Sequence, residues 1–292
     1  MKLGIGTAQF GFDYGISNRQ GKTPLPEVKS ILEIAAKSGI DFIDTASAYG
    51  ESEEALGSAL PKKHSFRIIT KTQPVSFGQS AEKLKSDFYR SLEKMKQGKI
   101  YGLLFHHANE FFQPGGASLW EAMEGLKGEG LVEKIGASAY NPEEILSANE
   151  QLGFDIVQIP FSVFDCRMRD TGAISDLAAS GVEIHARSIF LQGLLFIEPA
   201  ELNAYFNPVR EKLTSFREYC ASFGMSPMDG AFAFIKGIRE IECAIIGIND
   251  SAQLQNNQES FGKDFSDEFV MGLGKFAIND PAFVNPSMWR LE

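Results

Sequence analysis

The chain has 292 residues, 43% of them hydrophobic and 23% charged, with a formal net charge of −10. That balance suits a globular protein built as one barrel-sized domain, residues 1–292. An acidic chain is a poor partner for nucleic acid or an anionic membrane, although a local patch could still take an anionic ligand.

Along the chain, short apolar or β-branched runs at 3–7, 41–45, 67–71, 101–105, 133–138, 154–159, 182–186 and 243–247 predict eight strands. Helical spacing fills the intervals from Pro26 to Lys37, Glu82 to Met95, Leu119 to Leu126, Glu143 to Gln151 and Ser175 to Ala179. Gly39, Gly153 and Gly181 each follow a helical stretch and precede a strand, and Pro26 and Pro142 stand at first helical turns. Strands alternating with helices imply parallel pairing through right-handed crossovers. Eight such units predict a closed α/β barrel, a (β/α)8 TIM barrel. An open doubly wound sheet is the other reading, but GIGTAQFG matches the GxGxxG turn only loosely, with Gln9 in the last glycine position. The longer interval after His185 holds the loop 188–195 and two further helices near 208–223 and 227–238, and the aromatic tail after 262 is a candidate cover for one barrel mouth. Cys166, Cys220 and Cys243 form no CxxC pair and read as reduced, mostly buried thiols, with no metal site expected. No apolar run approaches the roughly 20 residues of a membrane helix. The start MKLGIGTAQFG is too short and glycine-rich for a signal peptide, so a cytoplasmic location is expected.

Catalytic groups in such a barrel cluster where the strands end. Asp44, Lys71, His106 and Ser138 close strands two to five, Gln158 lies near the end of strand six, and Tyr49 follows Asp44 by five residues. A tyrosine of ordinary pKa near 10 is a sluggish acid at neutral pH, and an ammonium from Lys71 would lower that value. Asp44 would hold the ammonium in place, and His106 would hydrogen-bond the substrate oxygen or the phenol. The set donates a proton to an oxygen gaining negative charge, the need of carbonyl reduction by hydride. Singly, each residue has a plainer role: Asp44 as a helix cap, Lys71 as a solvated loop residue, Tyr49 as rim packing, His106 as half of a buried pair.

DTASAYGESEEALG (44–57), IITK (68–71) and LLFHH (103–107) resemble the signature, lysine and histidine segments of the aldo-keto reductases. GIGTAQFG, KIGASAYNPEEI (134–145), IVQIPFSVFD (156–165), RSIFLQGLL (187–195) and IIGINDSAQLQNN (245–257) resemble further family segments, so the likeness spans nearly the whole chain. The resemblance implies an NAD(P)H-dependent reductase of a small carbonyl substrate, with Tyr49 as general acid supported by Asp44, Lys71 and His106. It implies that Ser138 and Gln158 hold the nicotinamide carboxamide. Gly6 and Thr7 close the first strand beside the cofactor, and Ser188, Leu191, Gln192 and Gly193 cradle the pyrophosphate. Gly247, Asn249, Gln253 and Asn257 lie along the adenosine end. By position on strand-end loops and the tail, Phe10, Phe12, Tyr14, His107, Tyr140, Phe164 and Trp289 are candidate substrate-lining residues.

Three departures stand out. Ala139 replaces the family's usual Asn after strand five, and Arg187 stands where an aromatic ring commonly stacks on the nicotinamide. An arginine there could stack, bind a phosphate or anionic substrate, or make a structural ion pair. No Lys or Arg lies between Gly247 and Gln253, and Asp250 would repel a 2′-phosphate. Family habit favours NADP(H); those positions make NAD(H) plausible. Two other functions fit a barrel with these residues. One is a Schiff-base lyase using Lys71, which Asp44 disfavours by keeping the amine charged; the other is a nicotinamide-binding regulatory or redox-sensing protein with little turnover.

Overall fold

The computed structural model describes residues 1–74 and 80–291. Eight strands, β1 (Lys2–Gly6), β2 (Phe42–Asp44), β3 (Arg67–Lys71), β4 (Ile100–Phe105), β5 (Val132–Ser138), β6 (Ile156–Pro160), β7 (Glu183–Arg187) and β8 (Ile241–Gly247), pair in parallel in chain order and close into a barrel. The closing pair is β8 on β1, with Gly6 opposite Gly247; on its other side Gly6 stands opposite Asp44. This is the (β/α)8 barrel that the alternation of patterns predicts, with strand ends displaced by no more than two residues.

The expected helices form at Leu25–Lys37, Ala81–Met95, Gly116–Gly128, Pro142–Leu152, Ala173–Ala179, Arg210–Ser222 and Pro227–Lys236. Gly39, Gly153 and Gly181 all adopt positive φ, ending their helices as their positions suggest. Ser226 and Asp229 form a reciprocal capping box at the start of Pro227–Lys236. The short helix Ser52–Ala59 has no clear apolar stripe in sequence: it buries Ser52 and Glu53 beside Leu56 and Ala59.

Strand residues alternate between two cores. Ile5, Ile43, Ile68 and Leu103 face the helices in the larger cluster. Phe42, Ile69, Tyr101, Leu104, Ile156, Cys243 and Ile245 pack together inside the barrel. With a period of two, the inward rows continue at the C-terminal mouth as Asp44 after Phe42, Lys71 after Ile69, His106 after Leu104 and Gln158 after Ile156. The barrel's own packing pattern therefore delivers these polar side chains to one place.

The tail does not cover that mouth. Phe269 and Phe276 pack on Tyr219 of the helix Arg210–Ser222, and Trp289 packs on Phe206 and donates to the Phe283 carbonyl. Its rings find aromatic partners on the barrel's flank, and no tail residue lines the cleft described below.

Candidate active site

A cleft of about 640 Å³ opens at the C-terminal mouth, lined by Asp44, Tyr49, Lys71, His106, His107 and Ser138 and continuing to Asn249, Gln253 and Asn257. At its floor Lys71 Nζ lies 2.5 Å from Asp44 Oδ1 and donates to the Thr45 carbonyl at 3.0 Å. Both ion-pair partners are almost wholly buried. Gln158 Nε2 donates to the same Asp44 Oδ1 at 2.7 Å. Burial pulls the Lys71 pKa below its ordinary value, and the adjacent Asp44 carboxylate opposes that pull.

The Tyr49 ring sits over this pair, with Lys71 Nζ 5.1 Å from its centroid. The turn carrying Tyr49 is anchored from several sides. Tyr49 N donates to the Ala46 carbonyl at 2.9 Å, and Ser52 N donates to the Tyr49 carbonyl at 3.0 Å. Ser52 Oγ lies 2.7 Å from Thr7 Oγ1 and 3.0 Å from Thr45 Oγ1, while Thr7 Oγ1 donates to the Asp44 carbonyl at 3.0 Å. A β-carbon at Gly11 would fall 1.7 Å from the Tyr49 carbonyl oxygen, so only glycine lets β1's loop approach this closely.

Burial and the Asp44 carboxylate raise the Tyr49 pKa, with Arg187 acting the other way. This corrects the expectation that Tyr49 would be made more acidic: burial and Asp44 together outweigh the opposing Arg187 charge. The phenol therefore stays protonated at neutral pH, the state a proton donor needs. An alkoxide is a stronger base than a phenolate, so proton transfer to one remains downhill, and Lys71 would stabilise the phenolate left behind.

His106 meets Tyr49 edge-on, ring centroids 6.1 Å apart, and its Nδ1 lies 3.3 Å from the Thr72 carbonyl. Burial first, then the Lys71 charge, pushes its pKa down to about 3. His106 is thus a neutral imidazole at working pH. With Nδ1 donating to Thr72, Nε2 is left as an acceptor; the opposite tautomer would donate to a carbonyl oxygen. His107 and Tyr140 continue the wall, their rings 6.0 Å apart. Tyr14 accepts from Gln192 Nε2 at 3.0 Å, and burial pushes its phenol up to about 12.

Not every expected lining residue is there. Phe10 points into the core from the turn Ala8–Gly11, Phe12 packs edge-on against Tyr14 and Tyr49 outside the lining, Phe164 packs on Phe216, and Trp289 stays with the tail. Leu191 is buried behind the loop, and Gln158 is buried against Asp44; neither lines the cleft. Arg187 makes no ion pair among the described residues, contrary to the structural role weighed for it. Its guanidinium lies 4.1 Å over the Tyr140 ring and donates to Ser138 Oγ, Ser188 Oγ and the Ala139 carbonyl.

Sequence reading named Phe12 and Tyr14 but missed that their loop continues through 15–24 across the cleft to the loop after β7. Ile16 N donates to the Gln192 carbonyl at 3.0 Å, Arg19 pairs with Glu201 at 3.3 Å, and Ser17 packs on Gly193. Partners so far apart in the chain leave no local signal. Ser188, Leu191, Gln192 and Gly193 all have positive φ, a concentration of strained backbone typical of a ligand-clamping loop.

The cleft fits a nicotinamide dinucleotide on its unsatisfied polar atoms. Asn249 Oδ1 and Asn257 Oδ1, at its far end, are buried acceptors without partners among the described residues, and so is Gln158 Oε1, which lies behind the floor beside Asp44. Amino donors of such a molecule match the two asparagines.

The mouth of this barrel thus gathers an acid, a lysine, a tyrosine and a histidine at one end of a long groove. The sequence model of the Aldo/keto reductase family matches residues 2–277, and the chain belongs to that family. It is 24% identical over 272 residues to an uncharacterized oxidoreductase of Bacillus subtilis, YqkF, covering 86% of this chain and 88% of that one. It is 25% identical over 190 residues to the NADH-specific methylglyoxal reductase of Escherichia coli, covering 58% and 57%. Among solved structures, the holo form of the aldo-keto reductase AKR11C1 from Bacillus halodurans superposes with a TM-score of 0.79 at 19% identity, covering 96% of this chain and 93% of that one.

Proposed function

We propose that this protein reduces an aldehyde or ketone to an alcohol, with Tyr49 delivering the proton. The observation that carries the reading is the buried Lys71–Asp44 pair directly beneath the Tyr49 ring, with His106 edge-on beside it. The bound nicotinamide would supply the hydride. Ser138 would hold its carboxamide end, with Gln158 buried behind the floor on Asp44, and Asn249, Gln253 and Asn257 would hold its adenosine end. As the tautomer with its proton on Nε2, His106 would orient the carbonyl oxygen, and Tyr49 would protonate it as charge develops. Lys71 and Asp44 would then hold the phenolate until a proton returns.

The far end of the cleft favours NADH over the NADP(H) expected from family habit. The helix Ser251–Gly262 begins there, and a helix N-terminus is a natural phosphate site. Two of its first-turn N–H groups are already taken: Ser251 N donates to Glu27 Oε1 and Gln253 N to Asp250 Oδ1. A 2′-phosphate would meet two carboxylates, and Arg19, on the loop reaching this end, is paired with Glu201.

Tyr49→Phe tests the reading. It should lower kcat by about a hundredfold or more while NADH affinity by fluorescence titration stays close to normal. A Phe variant keeping most of its kcat would show that the proton comes from elsewhere. Borohydride trapping of a carbonyl compound on Lys71 would instead support Schiff-base chemistry; the 2.5 Å contact with Asp44 argues against it.

A further inference from the structure

Charged side chains lining the cleft are paired, with one exception. Lys71 is matched by Asp44, Arg19 by Glu201, and Glu198 by Arg217 from the neighbouring helix. Arg187 is the exception: among the described residues it contacts no carboxylate, and its three hydrogen bonds go to neutral oxygens. A half-buried guanidinium without a counter-ion is costly unless something else satisfies it.

Its position says what that something is. Arg187 ends β7 and reaches across the Ser138–Ala139 turn onto the face of Tyr140, with one of its bonds going to Ser188 at the start of the following loop. Its charge is felt at Tyr49, Tyr14, His106 and His107, the groups surrounding the reacting carbonyl. Three of the five N–H groups of a guanidinium are used, leaving one on each terminal nitrogen. Stacking on Tyr140 and the three anchors hold the fork still, so little freedom is lost on binding.

We infer that Arg187 is a specificity residue that reads a carboxylate on the substrate, so that the preferred substrates are aldehydo or keto acids. This rests on the reductase reading above and narrows its substrate class. One uncompensated guanidinium matches one carboxylate; a phosphate dianion would leave a buried negative charge over. Neutral His106 and the phenols of Tyr14 and Tyr140 cannot supply the second cation a phosphate needs.

The test compares kcat/KM for charged and neutral carbonyls of similar size: glyoxylate against acetaldehyde, succinic semialdehyde against butanal, and glucuronate against glucose. The native protein should prefer the acid in at least one pair. That ratio should fall by about ten- to a hundredfold in Arg187→Gln, as loss of a charge-assisted hydrogen bond predicts, mostly through KM, and recover in part in Arg187→Lys. In parallel, calorimetry on the NADH-loaded protein should show benzoate binding more tightly than benzamide, with the difference lost in Arg187→Gln. That binding needs no turnover: if no carbonyl is reduced but benzoate is still selected through Arg187, the reductase reading falls and the carboxylate site stands. Reduction without any acid preference overturns the inference alone. So does an Arg187→Gln variant that weakens NADH binding and leaves the ratio unchanged, which would assign the residue to the cofactor. A preference for glycolaldehyde phosphate over glycolaldehyde with none for the acids would overturn it as well.

Discussion

Removing the Lys71 charge should separate catalysis from folding in a way the geometry makes quantitative. Lys71→Met deletes the cation 5.1 Å from the centre of the Tyr49 ring. At an effective dielectric of about 20, a unit charge at that distance stabilises a phenolate by about 3 kcal/mol, roughly two orders of magnitude in rate. The same change strands Asp44 in the barrel with, among the described residues, only Gln158 Nε2 as a side-chain donor, and breaking a buried pair costs about 3–5 kcal/mol of stability. Lys71→Met should therefore be both slow and unstable. Asp44→Asn combined with Lys71→Met removes both charges, so thermal unfolding should return towards the native midpoint while kcat stays about a hundredfold down. Steady-state kinetics on an aldehyde or keto acid that the protein reduces and a melting curve for each variant suffice. If the double variant recovers activity along with stability, or if Lys71→Met keeps kcat within a few-fold of native, Lys71 does not act on Tyr49 electrostatically.

Two further outcomes follow from the charges around the cleft. His106 is held down to about 3 against an ordinary value of 6.5, so between those values the unfolded chain binds a proton that the native chain refuses. Stability should fall as pH drops from 7 to 5, by about 2 kcal/mol from this residue, and His106→Asn should flatten the slope; an unchanged slope would mean His106 is not buried as described. Glu183, held down to about 2 by His185, Lys134 and Tyr101 despite its burial, contributes stability that disappears only below its ordinary 4.5, outside that window. Glu53, raised by burial, acts in the opposite direction. At the far end, Asp250→Asn keeps the helix cap but removes one charge, and should improve NADPH binding relative to NADH by about tenfold; equal or better NADPH affinity in the native protein would refute the NADH preference.

The sequence by itself determined the barrel and the candidates at its mouth. Strand and helix periods, and the glycines ending helices at 39, 153 and 181, are local properties, readable wherever the chain is cut. Because inward positions recur every second residue, Asp44, Lys71 and His106 were bound to share a mouth once eight strands closed. What the chain could not disclose are quantities summed over neighbours distant in sequence. Desolvation by the folded barrel reverses the expected direction of the Tyr49 shift. Packing sends Phe10 into the core and Trp289 to Phe206. The loop 12–24 reaches Gln192 and Glu201 across the cleft, a contact with no spacing to betray it. The charge balance of the site is of the same kind: an arginine at position 187 is visible in sequence, but that it stands beside Tyr140 with no carboxylate partner among the described residues is decided only where β5 and β7 meet the cleft.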